Sequence, residues 1–321
     1  MASVTTHQLA CTDATMHVGF FDNSLPPVLT IDSGDTVVFE IGTLLGNRIQ
    51  PGMTRDDLDA LRRELAIPAG LATHTMTGPV AVRQAAAGDV LEVRIGELTL
   101  GDFGHNSIPA GKTGRGFLPE DFEHARVTYF RYPEGHDSIE FAPGIQVPLR
   151  PFLGVMGVAP RQPGRLSSTE PRDFGGNMDN KELVSGTTAY FPVWVDGALF
   201  STGDGHAVQG NGEVSGTALE TSMRSASLEF HVRKDMRLRR PMAETASHWI
   251  TMAFDPDLDE AAKTALRDMI AFISARWSLS HEDAYSLSSL AVDLEITQVV
   301  DGNRGVHAML PKGIFAGGRG N

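Results

Sequence analysis

The segment from Thr202 to Glu213 holds the densest set of polar side chains in the sequence. Within it, Asp204 and His206 lie two positions apart, so on an extended segment their side chains point to the same side. A carboxylate oxygen and an imidazole nitrogen in this arrangement can bind one metal cation. The same spacing is typical of a solvated acidic turn between two strands, and spacing alone favours that second interpretation. The pair is therefore a candidate metal site that needs further ligands.

Other polar side chains could complete such a site. His74 precedes an apolar segment that is typical of a strand, and Glu220 follows a run of small residues. Asn177 and Asp179 lie on a glycine-rich segment, where the backbone can bend sharply. Taken alone, each is weak evidence: a lone histidine such as His74 is more often a hydrogen-bonded loop or core residue, and Glu220 could equally be a surface carboxylate. His105 could line a pocket, but its glycine, asparagine and serine neighbours favour a turn.

Covalent and phosphate-binding chemistry find no support in the sequence. Cys11 is the only cysteine, which excludes an intrachain disulfide, a two-cysteine metal site and a CxxC redox pair. No glycine turn or helix start lies beside it to activate the thiol. No G-x-S-x-G nucleophile motif occurs, and the glycines of Gly210–Gly216 are spaced wrongly for a dinucleotide loop.

The balance of charges limits the class of partner. The chain has 27 basic and 40 acidic residues, a formal net charge of −13 with histidine neutral. This charge repels phosphate backbones and anionic membranes, so we expect neither nucleic acid nor a membrane as partner, while a small neutral substrate is compatible. The first ten residues lack a basic start and an apolar core, and no run approaches the ~18 apolar residues of a membrane helix. We therefore expect a cytoplasmic protein.

Turn residues between short apolar runs predict a protein made mainly of strands. Glycine accounts for 34 of the 321 residues, well above its usual share of ~7%. Alternation in Val90–Ile95 predicts a strand with Leu91, Val93 and Ile95 on one face. Asp196-Gly197 stands between two apolar runs and predicts a hairpin.

Helices are expected in few places. A capping box at Thr54 predicts a short helix to about Leu65. Near the C-terminus, Asp257 and Ser280 each cap a run with helical spacing of apolar residues. The chain is therefore predicted to form a β-rich N-terminal unit (1–165), a second β-rich unit that carries the glycine-rich candidate site (166–250), and a smaller α+β unit (251–321).

Several of these segments together resemble the acetamidase/formamidase family. The segments that carry the resemblance, in order along the chain, are His74–Pro79, Ala87–Asp89, Gly154–Gly157, Gly175–Leu183, Phe191–His206 and Asp301–His307. They span nearly the whole chain in order, and the length of the chain suits the shorter branch of the family.

The resemblance implies hydrolysis of short aliphatic amides to ammonia and a carboxylate. It also implies a mainly β fold with β-sandwich-like and β-barrel-like units, a smaller α+β unit, a homo-oligomer and a divalent metal, most plausibly zinc. The family's motif residues carry over to His74, Asn177, Asp179, Asp204, His206 and Glu220.

Roles for these residues follow from the chemistry that an amidase without a nucleophile requires. A bound zinc ion can activate water for attack on the amide. His74, Asp204 and His206 would supply three ligands and leave a fourth position for water. Asp179 is counted with the metal site, where it could orient a ligand imidazole. Glu220 would act as general base and Asn177 as a donor to the developing oxyanion.

Two other readings use the same residues differently. A non-catalytic β protein could bind Ca²⁺ for stability through oxygen atoms of Asp179, Asp204, Asn211 and Glu213, which would leave His206 without a role. A metal-dependent lyase or cyclase on a β scaffold would use similar ligands on another substrate. The sequence does not fix the preferred amide chain length, the natural substrate, the number of metal ions or the oligomer number.

Overall fold

Strands make up most of the structure, a computed structural model that describes residues 4–108, 116–132 and 137–315. The strands of the N-terminal part are β1 (Thr6–Leu9), β2 (Met16–Val18), β3 (Phe20–Phe21), β4 (Leu29–Ile31), β5 (Thr36–Ile41), β6 (Thr75–Val82) and β7 (Val90–Ile108). The middle of the chain contributes β8 (Arg126–Arg131), β9 (Ser138–Ala142), β10 (Ile145–Pro148), β11 (Phe152–Gly157), β12 (Leu166–Ser167), β13 (Gly175–Asn177), β14 (Thr188–Pro192) and β15 (Phe200–His206). The remaining strands are β16 (Glu220–Arg233), β17 (Met242–Glu244), β18 (His248–Asp255), β19 (Asp293–Gln298) and β20 (Arg304–Pro311).

Helices are fewer, and the longest two lie near the C-terminus. The helices of the described residues are α1 (Leu44–Asn47), α2 (Arg55–Glu64), α3 (Leu258–Trp277) and α4 (His281–Ala291), with 3-10 turns at Pro119–Asp121 and Lys312–Ile314. The caps predicted for α2, α3 and α4 are present, because the side chains of Thr54, Asp257 and Ser280 each accept a backbone N–H of the first turn. None of the described helices is long and apolar enough to cross a membrane.

One large sheet organises the described strands. Sixteen of them belong to it, in the order β13-β11-β15-β16-β7-β14-β17-β18-β20-β19 along its main path. The pairs are antiparallel apart from β1 with β5 and β4 with β6. The predicted class, mainly β with a smaller C-terminal α+β unit, is confirmed. The unit boundaries at residues 165 and 250 stay a prediction.

Alternation along β7 distributes its side chains between two cores, as the sequence predicts. Leu91, Val93 and Ile95 pack in the largest apolar cluster together with a group of phenylalanines, and Val90 packs in a second cluster with Met269 of α3. Burying such side chains is the main favourable contribution to folding. The same strand thus joins the central core to the C-terminal α+β unit.

The hairpin predicted at Asp196-Gly197 is wrong. The two flanking strands do not pair with each other: β14 pairs with β7 and β17, whereas β15 pairs with β6, β11 and β16. Ala198 and Leu199 have φ angles of 59° and 54°. These left-handed residues redirect the chain after the turn, so that β15 enters a different part of the sheet.

A third, smaller cluster lies apart from the two cores. Leu45 and Ile49 lie in or just after α1 and are buried together with Leu58 of α2. Partly buried side chains of α2, β7 and β8 pack against them. This cluster borders the candidate site described next.

Candidate active site

The central strand β15 carries Asp204 and His206 and brings them next to side chains from distant parts of the chain. His206 pairs with Phe152 of β11 on one side and with Glu220 of β16 on the other. One strand further along the sheet, Asn177 pairs with Val155 of β11. Strand register therefore assembles residues that are distant in the sequence, such as Asn177 and Glu220, which are 43 positions apart.

The side chains of this cluster lie within a few ångströms of one another. His206 Nε2 is 3.3 Å from Asp204 Oδ2 and 3.2 Å from Glu220 Oε2. His206 Nδ1 is 3.7 Å from Asp179 Oδ1. All four side chains are buried. The D-x-H pair is thus part of a buried cluster and not the solvated turn that spacing alone favours.

Glycine and unusual backbone angles make this close approach feasible. A Cβ atom at Gly154 of β11 would lie 2.7 Å from Asp179 Oδ1, 2.7 Å from His206 Cε1 and 2.8 Å from Asp204 Oδ2. Asp179 and Asp204 have φ angles of 49° and 56°, in the left-handed region that few residues other than glycine occupy. Strained backbone of this kind persists where the surrounding structure holds it, and it is frequent at functional sites.

Burial and neighbouring charges shift the titration of the cluster. Burial lowers the pKa of His206, but the Glu220 and Asp204 carboxylates outweigh it and raise that pKa well above its usual value. Burial likewise acts to raise the pKa of Asp204, but His206 and His74 lower it below its usual range. For Glu220, burial dominates and raises the pKa to about 7.

Two further carboxyl groups, Glu213 and Asp301, adjoin this cluster. Potential ligand atoms of Asp179, Glu213 and Asp301 lie within 4.8 Å of one another. Burial, followed by the charges of its neighbours, raises the pKa of both Asp179 and Glu213 well above the usual value. From the sequence, Glu213 is expected only as a calcium ligand, and no role is predicted for Asp301.

The contact that brings Asp301 to the site is not visible in the sequence. Gly212 forms an isolated parallel bridge with Gln298, and the Gln298 side chain accepts the N–H of Asp301 at 3.1 Å. This bridge joins segments 86 positions apart. Long-range pairing of this kind leaves no local pattern, and the Asp-Gly sequence at 301–302 by itself is typical of an exposed turn.

The donor atoms of the cluster fit a divalent cation. Five carboxyl groups are buried together, those of Asp179, Asp204, Glu213, Glu220 and Asp301. Among the described residues, neither oxygen of Asp179 nor Asp204 Oδ1 has a hydrogen-bond partner, and the ring nitrogens of His206 face only carboxylate oxygens. Unpartnered buried polar atoms and closely packed carboxylates are both costly, and a bound cation would relieve both costs. Carboxylate oxygens with an imidazole nitrogen are ligands that zinc accepts.

The predicted ligands come together only in part. Ligand atoms of Asp179, Asp204 and His206 lie within 4.8 Å of one another, and so do those of His206, Glu213 and Glu220. His74 belongs to no such group among the described residues. Its Nδ1 lies 3.0 Å from Ser168 Oγ, and the residue lines the same cavity as Asp204.

A cavity of about 200 Å³ opens beside the cluster. Its polar lining residues include His74, His105, Ser107, Asn177, Asp204, Glu213, Thr217 and Glu220. Its apolar lining residues are Leu44, Leu45, Ile49 and Leu58. The cavity thus joins the predicted general base and the predicted oxyanion donor in one small space with a polar and an apolar part.

For His105 the sequence favours a turn, and this prediction is wrong. It lies in strand β7 and not in a turn, directly across from Glu220 of β16. Its ring stacks on Tyr129 with centroids 5.7 Å apart, and burial lowers its pKa to about 4. A neutral imidazole therefore lines the cavity at neutral pH. The small polar neighbours of His105 are typical of turns, but pairing with β8 and β16 keeps the segment extended.

Comparisons with known families and with solved structures point to the same family. Residues 4–169 and 164–317 match the model of the Acetamidase/Formamidase family. The crystal structure of acetamidase from Bacillus halodurans is 31% identical in sequence, with a TM-score of 0.84 and coverage of 96% of this chain and 98% of that one. The crystal structure of a predicted acetamidase/formamidase from Thermoanaerobacter tengcongensis is 30% identical, with a TM-score of 0.86 and coverage of 97% of each chain.

Curated relatives match over a shorter part of their length. The formamidase of Methylophilus methylotrophus is 26% identical over an alignment of 243 positions, and the match covers 60% of this chain and 58% of that protein. The chain spans less than two thirds of the length of the curated relatives that it matches.

Proposed function

The chain belongs to the acetamidase/formamidase family, and we propose that it hydrolyses short linear amides to ammonia and a carboxylate with the help of a bound divalent metal ion. The observation that carries this proposal is the buried cluster of Asp179, Asp204, His206 and Glu220 beside a cavity of about 200 Å³. Ligand pockets for drug-sized molecules measure ~300–1,000 Å³, so this cavity suits a smaller substrate.

Three side chains are proposed to hold the ion. Asp179, Asp204 and His206 present their ligand atoms within 4.8 Å of one another. His74 lines the same cavity and is proposed as a further ligand. A divalent ion held there would lower the pKa of water and polarise the amide carbonyl. Zinc is the proposed ion because His206 supplies an imidazole nitrogen, a ligand that zinc favours and calcium does not.

Glu220 is proposed as the general base. The backbone N–H of Ala218 donates to its Oε1 at 2.9 Å, and its Oε2 lies 3.2 Å from His206 Nε2. These contacts fix the carboxylate at the edge of the cavity, where it can take a proton from the attacking water. The water oxygen then forms the new bond to carbon, the C–N bond breaks, and Glu220 passes the proton to the departing nitrogen, which leaves as ammonia.

Asn177 is proposed to stabilise the charge that develops on the carbonyl oxygen. It is buried and lines the cavity together with Glu220. Its side-chain N–H groups are donors, and a donor that is fixed before the reaction stabilises an oxyanion without a cost of reorganisation. His105 lines the same space as a neutral imidazole.

The calcium-stabilised reading has one observation in its favour. The group of Asp179, Glu213 and Asp301 offers oxygen ligands only, which is the donor chemistry of calcium. Elemental analysis of the purified protein distinguishes the two, since zinc favours the hydrolase and calcium alone favours the structural site. The homo-oligomeric state and the cytoplasmic location stay predictions from the sequence.

The test of the proposed function is His206→Ala, with His17→Ala as its matched control. Both histidines have two ring nitrogens without a hydrogen-bond partner among the described residues, but His17 packs against the rings of Phe20 and Phe21. We expect His206→Ala to lose both bound metal and ammonia release from acetamide, while His17→Ala keeps both. Metal content is measured by elemental analysis, and full activity of the His206 variant would refute the proposal.

A further inference from the structure

The apolar part of the cavity lining is formed by four residues that the proposed chemistry does not use. We call this set, Leu44, Leu45, Ile49 and Leu58, the apolar wall. Leu45 and Ile49 are 4% and 1% exposed, so most of their surface packs against the rest of the protein. The wall belongs to the third apolar cluster, separate from the two main cores.

The backbone of the wall has an unusual shape. Leu45, Gly46 and Asn47 have φ angles of 57°, 68° and 61°, so three successive residues are left-handed. Glycine and asparagine occupy this region readily, whereas leucine rarely does. A buried leucine in this conformation indicates that the surrounding contacts hold it there.

Those contacts tie the wall to the segment that carries His74. The N–H of Leu45 donates to the carbonyl oxygen of Thr73 at 2.9 Å, and the N–H of Gly46 donates to Thr75 Oγ1 at 2.9 Å. Thr73 and Thr75 flank His74 in the sequence. The wall is therefore fixed relative to a proposed metal ligand through hydrogen bonds to its two neighbours.

Helix α2 completes the wall and backs it with apolar side chains. Leu58 lies in the first turns of α2, and Leu61 and Leu65 pack against the same cluster behind it. Tyr129 donates from its hydroxyl to the carbonyl oxygen of Met53 at 2.9 Å, which ties the segment before α2 to strand β8. The wall is thus supported by the packing of its own apolar cluster.

The charged residues that line the cavity near the apolar wall do not favour a charged substrate. Arg55 and Asp59 both line the cavity and form an ion pair at 3.0 Å. Arg62 donates to the carbonyl oxygen of Leu71 at 2.8 Å. These three charged side chains are thus engaged within the protein, and the apolar wall is available to the non-reacting part of a substrate.

We propose that the apolar wall binds the acyl group of the substrate and that Leu58 determines which acyl chain length is preferred. This inference rests on the proposed function. The polar part of the cavity engages the amide group, and each methylene that the wall removes from water favours binding by about fourfold. A cavity of about 200 Å³ limits this gain to short chains. Leu58 is the specificity-determining residue, because its side chain comes from a helix and can change size without altering the left-handed turn.

The experiment compares kcat/KM for formamide, acetamide, propionamide and butyramide in the metal-loaded wild type and two Leu58 variants. We expect Leu58→Ala to raise the ratio of butyramide to acetamide by about tenfold or more, because it opens space for extra methylenes. Leu58→Phe should lower the same ratio. Dividing each ratio by that of the wild type removes differences in the intrinsic reactivity of the amides.

Leu61→Ala is the matched control, because Leu61 packs against the same cluster but does not line the cavity. It should lower the thermal midpoint as Leu58→Ala does, and leave the ratio unchanged. If Leu58→Ala does not fold, Leu44→Ala, at a half-buried position of the wall, is expected to raise the ratio in its place. Ratios within twofold of the wild type in folded, active variants would overturn the inference alone. Failure of the metal-loaded wild type to hydrolyse any of the four amides would overturn the proposed function and this inference with it.

Discussion

The two sides of the cavity are built in different ways. The polar side, with Asp204, His206 and Glu220, lies on central strands whose register is fixed by neighbours on both edges. The apolar wall lies on a left-handed turn and a helix outside the sheet, with a small cluster of its own. Groups that carry out chemistry need positions fixed to a fraction of an ångström, and a sheet interior provides them. A wall on a connecting segment can change without disturbing that geometry.

Backbone strain occurs on both sides, but it has different effects. At Asp179 and Asp204 it brings carboxylates towards one point, where they repel each other unless a cation or protons intervene. At Leu45 it directs an apolar side chain into the third apolar cluster, where its burial stabilises the fold. The polar side therefore depends on a bound cation or on protonation to relieve this repulsion, whereas the apolar wall is stabilised by the chain itself.

The largest effect is expected from Glu220→Gln, which keeps the shape of the polar side and removes its proposed base. We expect kcat for acetamide to fall by about 10²- to 10⁴-fold, because proton transfer by a positioned side chain contributes that much. Bound metal should stay at the wild-type level, since Asp179, Asp204 and His206 are unchanged. Both are measured on the same preparation, by ammonia release and by elemental analysis.

Glu92→Gln is the control for this substitution. Glu92 is also a buried glutamate, 3% exposed, but it lies outside the cavity and forms ion pairs with Arg94 and Arg233. Its variant should lose thermal stability and keep kcat. Equal losses of kcat in the two variants would mean that a buried carboxylate anywhere in the sheet has this effect, and Glu220 would have no special role.

A smaller effect is expected from Gly154→Ala, which adds one carbon and no charge to the polar side. The new Cβ would lie within 2.8 Å of atoms of Asp179, Asp204 and His206. These side chains must then move, and we expect metal affinity to fall by about 10- to 100-fold, as it does when the partners that orient ligands are changed. The measurement is the metal concentration that restores half of the activity after chelation.

Gly210→Ala serves as the comparison for Gly154→Ala. Gly210 follows β15 closely in the chain, but a Cβ there would meet no described atom within 4 Å. Its metal affinity and activity should equal those of the wild type. Unchanged metal affinity in Gly154→Ala would show that the three ligands tolerate displacement, and the contrast between a rigid polar side and an adaptable wall would fail.

The sequence predicts the two sides of the cavity to different extents, for physical reasons. Asp204 and His206 are recognisable because their spacing matches a local period of the strand. Three of the helix caps are recognisable for the same reason, since a cap is a contact between near neighbours. Local patterns of this kind account for most of the predicted elements.

Contacts between distant segments account for the errors and omissions. Asp301 lies close to Asp179 because of a bridge between Gly212 and Gln298. No pattern in the sequence indicates this bridge. His105 has turn-forming neighbours, but two flanking strands keep it extended. Leu45 gives no sign of its left-handed conformation beyond the glycine that follows it. The apolar wall is therefore recognisable only in the structure.

The smallest effect is expected from Thr54→Ala, which tests whether the apolar wall can loosen without disturbing the polar side. The Thr54 side chain accepts the N–H of Asp57 and caps α2, the helix that carries Leu58. Loss of such a cap costs ~1 kcal/mol of helix stability. We expect KM for propionamide to rise about two- to fivefold, near the ~1 kcal/mol that corresponds to the loss, with kcat and bound metal unchanged. Thr54→Ser keeps the capping oxygen and should behave as the wild type in the same kinetic assay. Loss of metal in Thr54→Ala would show that the wall and the ligands form one cooperative unit, because α2 packs against the left-handed turn at 45–47, which is hydrogen-bonded to the two neighbours of His74.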